Sequence, residues 1–99
     1  MSHRGSLLCL PNGIWAWDVT DADRIDFPSL GLVIGQAAQI DTLILGAGSK
    51  VWIAPSALRA QLRLSKIVLD VMQTGPAIRT YNVMMSEGRR VAAALIAVP

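Results

Sequence analysis

The chain is poor in the residues that carry most site chemistry. It has one cysteine, Cys9, so it can form no internal disulfide and no cysteine-ligated metal cluster, and a lone thiol fits a reducing compartment. It has one histidine, His3, placed in a polar start (residues 1–5) that is expected to be mobile. No second histidine supplies a transition-metal set, and no metal or cofactor is expected. Charged residues are scarce at 16% and aromatics at 5%. No apolar run approaches the ~20 residues of a membrane-spanning helix. Ser6-Leu7-Leu8-Cys9 has the outline of a lipoprotein cleavage box, but Leu8 stands where a small residue is required, and Pro11-Asn12-Gly13 cuts the apolar stretch short. The expectation is a cytoplasmic protein without a membrane span.

What the chain does have is apolar surface. Hydrophobic residues make up 53% of its 99 residues, which suits a single domain, residues 1–99, with one core. A chain of this size buries roughly 60–70% of its unfolded surface. The apolar excess is therefore expected to leave patches for a protein partner or for self-association. The net charge of +2 is unevenly spread. Residues 1–47 set Arg4 and Arg24 against Asp18, Asp21, Asp23, Asp26 and Asp41, while the remainder sets seven basic residues against Asp70 and Glu87. Because no aromatic is interleaved with a run of arginine or lysine, nucleic acid is a disfavoured partner.

Ser6–Leu10 and Ile14–Asp18 flank Pro11-Asn12-Gly13, a hairpin signal in which Asn-Gly supplies positive φ. Alternation puts Trp15 and Trp17 on one face, either as core or as a contact patch. The acids from Asp18 to Asp26 lack the spacing of a calcium loop and read as a polar connection with capping carboxylates. Pro28–Gln39 reads as a short helix capped by Ser29, with Leu30, Val33, Ile34 and Ala37 on its inner face. A strand from Asp41 to Leu45 runs into Gly46-Ala47-Gly48-Ser49. A helix after Pro55 carries Ala57, Leu58, Gln61 and Leu62 inward and the basic stripe Arg59, Arg63 and Lys66 outward. Ile67–Met72 alternates as a strand containing Asp70, expected near a strand end or paired with Arg79. Thr74 reads as the N-cap of a helix reaching about Glu87, with Gly75 and Pro76 in its first turn and Ala77, Ile78, Tyr81, Met84 and Met85 buried. Gly88 suits the left-handed residue that ends it. The unbroken apolar run Val91–Val98 implies a central strand covered on both sides.

Two glycine-bearing loops lie beyond strand ends, and the second opens a helix whose free N–H groups favour an anion. The candidate ligand set is Gly46, Gly48, Ser49, Thr74, Gly75, Arg79, Thr80 and Asn82. The candidate partner surface is Trp15, Trp17, Arg59, Arg63 and Lys66. Catalysis is the least supported reading. No general base is paired with a nucleophile, and no catalytic residue is assigned.

With Gly5-Ser6-Leu7-Leu8, Leu10-Pro11-Asn12-Gly13, Leu43-Ile44-Leu45-Gly46-Ala47-Gly48, Arg79-Thr80-Tyr81-Asn82 and Glu87-Gly88-Arg89-Arg90-Val91-Ala92-Ala93-Ala94-Leu95 in view, the chain resembles the adipogenesis-associated Mth-domain family, which includes the mitochondrial complex I assembly factor 3. The resemblance implies an α+β fold: a three-layer domain with a mixed central sheet, two to three helices and an N-terminal β-hairpin layer. It implies protein partners and assembly for the mitochondrial relative, and no catalytic assignment. Family members usually carry a further strand before Gly5, and Gln73 stands where an Asp is common and Ile78 where a Cys is common. The functional expectation is a non-enzymatic protein-interaction or assembly module, with a small-molecule or anion binder as the alternative.

Overall fold

The structure, a computed structural model, describes residues 6–19, 21–49 and 52–97. The expectation of a mobile start at residues 1–5, and the end of the last apolar run at Val98, lie outside the described residues.

Among the described residues, five strands and three α-helices follow one another in the order β1 (Ser6–Leu10), β2 (Gly13–Trp17), α1 (Gly31–Gly35), β3 (Thr42–Gly46), α2 (Ser56–Leu64), β4 (Val68–Met72), α3 (Thr74–Ser86) and β5 (Val91–Leu95). They build one mixed sheet in the order β2-β1-β5-β3-β4. β1 pairs antiparallel with β2 and β5, whereas β3 pairs parallel with both β4 and β5. The hairpin thus continues the sheet instead of forming a layer of its own. The three layers are α1 and α2 on one face, the sheet, and α3 on the other.

Each face has its own core. Leu8, Leu10, Trp17, Leu43, Leu45, Leu69, Ala92 and Ala94 point towards the α1/α2 side, where they meet Leu30, Val33, Leu58 and Leu62. Cys9, Ile44, Val91, Ala93 and Leu95 point the other way, against Ala77, Tyr81 and Met84 of α3. β5 occupies the middle of the sheet and is buried along its whole length, as its unbroken apolarity predicts. Of its three consecutive alanines, Ala93 faces α3 and lets that helix lie close, while Ala92 and Ala94 face α1 and α2; α3 packs on β5 and β3 and has no comparable contact with the hairpin.

Several local expectations are corrected. The hairpin turn is Pro11-Asn12, with Leu10 paired to Gly13, so β2 begins one residue earlier than expected; the positive φ expected of Asn-Gly falls on Gly13 (φ 143). Pro28–Gln39 is not one helix. It breaks into 3-10 turns at Pro28–Leu30 and Ala37–Gln39 around the short α1, because Gly31 and Gly35 are poor helix formers. Asp26 begins this stretch rather than Ser29: Ser29 N–H donates to Asp26 Oδ1 at 2.8 Å, and Asp26 N–H donates back to Ser29 Oγ at 3.1 Å. In α2 only Leu58 and Leu62 are buried, and Ala57 and Gln61 face solvent. In α3 the narrow contact with the sheet around Ala93 buries Ala77 and leaves Ile78 (42% exposed) and Met85 (49% exposed) on its flank.

Candidate functional site

The chain leaves β3 towards α2 on one face and leaves the adjacent β4 towards α3 on the other. Ligands of open α/β sheets gather at such a switch point, beyond the carboxyl ends of the strands. The expected ligand residues Gly46, Gly48, Ser49, Thr74 and Gly75 do converge here, but their polar groups are spent on one another. Thr74 is not an N-cap. It is the first residue of α3, buried, and Gln73 precedes it without a side-chain cap. Its Oγ1 accepts from Gly48 N–H at 2.9 Å and donates to Ile96 O at 2.7 Å. Its own N–H donates to Gly48 O at 3.0 Å, and Ile96 N–H donates to Gly46 O at 2.9 Å. Gln73 Nε2 donates to Ser49 O at 2.9 Å. A Cβ on Gly46 would lie 3.0 Å from Thr74 Cα, so the side-chain-free residue is what lets α3 begin this close to β3.

The helix start is consequently poor in free donors. Thr74 N–H is used, Pro76 has none, and Ala77 N–H already donates to Gln73 O at 2.9 Å, which leaves Gly75 N–H. Arg79 and Asn82 are exposed and Thr80 partly buried, farther along α3, so the structure does not gather them with the loop glycines. Asp70 is exposed on the edge strand β4, and among the described residues no ion pair joins it to Arg79. Arg90 forms an ion pair with Asp41, 3.8 Å apart and largely exposed, and also donates to Ala38 O.

Cys9 and Tyr81 face each other between β1 and α3, but burial pushes the Cys9 thiol up, and burial, then the neighbouring Cys9, raises Tyr81. Both changes oppose the reactive anions. Among the described residues no three histidine, cysteine, aspartate or glutamate side chains could hold a metal together.

The expected partner surface divides. Trp17 is 6% exposed, with its Nε1 donating to Ser29 O at 2.8 Å, so it belongs to the core. Trp15 stays 43% exposed, its Nε1 donating to Asn12 Oδ1 at 3.1 Å. Arg59, Arg63 and Lys66 line a shallow cleft of about 350 Å³ with Ile67, Val68 and Leu69, at the β4 edge. Trp15 and the basic trio thus mark opposite edges of one sheet. Arg59 Nη1 donates to Leu69 O at 3.0 Å, while Arg63 and Lys66 remain exposed beside the exposed Leu64 and Val68. Sequence reasoning missed Leu64, Val68 and Leu32 as surface groups, since periodicity alone does not say which apolar residues the tertiary packing reaches.

Comparison with known proteins places this geometry among relatives. A family model described as a protein of unknown function, DUF498/DUF598, matches residues 1–96. The NADH dehydrogenase [ubiquinone] 1 alpha subcomplex assembly factor 3 of Danio rerio is 34% identical over 95 residues, which cover 96% of this chain and 55% of that protein. The chain therefore spans about half the length of that relative. The NMR structure of a Rhodopseudomonas palustris protein superposes with a TM-score of 0.92 at 64% identity, covering 100% of this chain and 73% of the other. A Mth938-like domain from Bordetella pertussis shares the fold at a TM-score of 0.83 and 24% identity, over 94% of this chain and 73% of its own. Among the described residues no helix is long and apolar enough to cross a membrane.

Proposed function

This chain belongs to the DUF498/DUF598 family, and on that premise we propose that it is a cytoplasmic, non-enzymatic protein-interaction module that serves the assembly of a larger complex. The observation that carries the reading is the 34% identity, over nearly the whole chain, to a protein named as a complex assembly factor. The surface fits such work. The β4 edge offers Arg63 and Lys66 next to exposed Leu64 and Val68, a basic rim with apolar contacts, which suits an acidic protein surface. The test is co-purification of tagged wild type and of an Arg63→Glu/Lys66→Glu variant, with partners identified by mass spectrometry. The expected result is a discrete partner retained by the wild type and lost by the equally stable variant. A wild type that retains nothing beyond the tag control overturns the proposal.

The anion-binding alternative draws its support from the switch point beyond β3 and β4, where among the described residues Gly75 N–H is the helix-start donor left without a partner. Its test is thermal unfolding with millimolar phosphate, nucleotides and carboxylates. A rise in Tm with any of them supports an anion site, and none is expected from a single neutral donor.

A further inference from the structure

The two edges of the sheet are built differently. β4 is defended against strand addition. Asp70 stands at its centre, Arg59 is hydrogen-bonded to the Leu69 carbonyl, and Arg63 and Lys66 flank it. β2 carries no such device. Its five residues, Gly-Ile-Trp-Ala-Trp, contain no charge and no proline, and its pairing with β1 is one-to-one without a bulge. Ile14, at 69% exposed, and Trp15 are open to solvent, and so is Ala16. The alternation of the hairpin, counted from the closing pair Leu10–Gly13, points the main-chain N–H and C=O groups of Ile14 and Ala16 away from β1.

We propose that β2 pairs antiparallel with β2 of a second copy of this chain, joining the two sheets edge to edge about a two-fold axis at Trp15. The strand is its own complement in this register. Ile14 meets the partner's Ala16, so their outward main-chain groups exchange hydrogen bonds, and Trp15 meets the partner's Trp15 as a non-hydrogen-bonded, close aromatic pair. Asn12 meets the partner's Asp18. Asn12 Oδ1 already accepts from Trp15 Nε1 and from Gln36 Nε2 at 2.7 Å, which leaves its amide NH2 as the donor for that carboxylate. Leu32, exposed on α1 beside Ala16 and Trp17, adds apolar contact at the same edge. The guarded β4 prevents the other geometry, β2 on β4, which would not close and would grow into a fibre. This pairing is independent of the assembly reading, which uses the opposite edge.

The test is sedimentation equilibrium over a dilution series on the full chain, Trp15→Lys, Trp15→Glu and an equimolar mixture of the two variants, with folding checked by circular dichroism. Because position 15 faces itself across the axis, each single variant is expected to dissociate at least about tenfold more readily than wild type, and the mixture to recover dimer. A folded wild type that is monomeric throughout overturns the proposal, and if it still captures a discrete partner the assembly reading survives. Either single variant remaining as dimeric as wild type, or a mixture that recovers no dimer, also overturns it. If Trp15→Lys fails to fold, Ile14→Lys takes its place: its exposed side chain would stand against the partner's Ala16, and undiminished dimerisation would overturn the register.

Discussion

Thr74 shows how much a single hydroxyl can hold. It fixes the loop after β3 and the chain beyond β5 to the start of α3 through two bonds in a buried position. Thr74→Val keeps the shape and strands a buried N–H and a buried carbonyl. Urea unfolding is expected to show a loss of about 2 kcal/mol, most of it restored in Thr74→Ser. Sequence reasoning picked out Thr74 from its place before Gly-Pro but assigned it a capping role. The partners Gly48 and Ile96 are more than twenty residues away, and no local pattern announces them. The buried pair Cys9 and Tyr81 gives a second expectation. Both are neutral acids whose ionisation the fold resists, so above the ordinary thiol value of 9.0 the unfolded chain releases protons that the folded chain keeps. Stability is therefore full below that value and declines as pH rises through it. Denaturation midpoints from about pH 8 to about pH 10 should fall, and less steeply in Cys9→Ala.

Among the elements, α2 and α3 end in the same way with different residues. After α2, Ile67 N–H donates to Leu62 O and Lys66 N–H to Arg63 O, with Lys66 at φ 62. After α3, Arg89 N–H donates to Met84 O and Gly88 N–H to Met85 O, with Gly88 at φ 74. Both are Schellman closures, which favour glycine at the left-handed position. Lys66→Gly should stabilise the fold by up to about 1 kcal/mol, and Gly88→Ala should destabilise it by about 1 kcal/mol, both measured by thermal or urea unfolding. The glycine made the second closure readable in advance, while a lysine in that conformation gave no sign of the first. The same contrast runs through the chain. The hairpin, β3, β4, α3 and β5 follow from strong period and turn signals. The stretch from Pro28 to Gln39 did not, because its apolar spacing is helical while its glycines weaken the helix into turns.

At the scale of the molecule, burial of β5 was readable from Val91 to Leu95, and its neighbours were not. Strand order and direction are settled by which helix covers which face, and β5 takes one antiparallel and one parallel partner. The alanines at its centre fix the thickness of the domain. Ala93→Leu would push α3 away from the sheet, with an expected loss of about 1–3 kcal/mol in urea unfolding and greater exposure of Tyr81 to solvent quenchers. The candidate site was only partly foreseen for a related reason. Loop glycines and basic residues were found, but sequence could not tell that the crevice is stitched shut, nor that Trp15 and Arg63 would stand at opposite edges.

The position of β5 has one more consequence, for how the protein is made. Translation delivers the β1–β2 hairpin and the β3–β4 pair before the strand that must lie between them. Until then a nascent chain carries two half-sheets with open inner borders and no shared interior. Folding must therefore wait for β5 to clear the ribosome, and a polypeptide arrested before Val91 should be held by chaperones or lost to proteolysis.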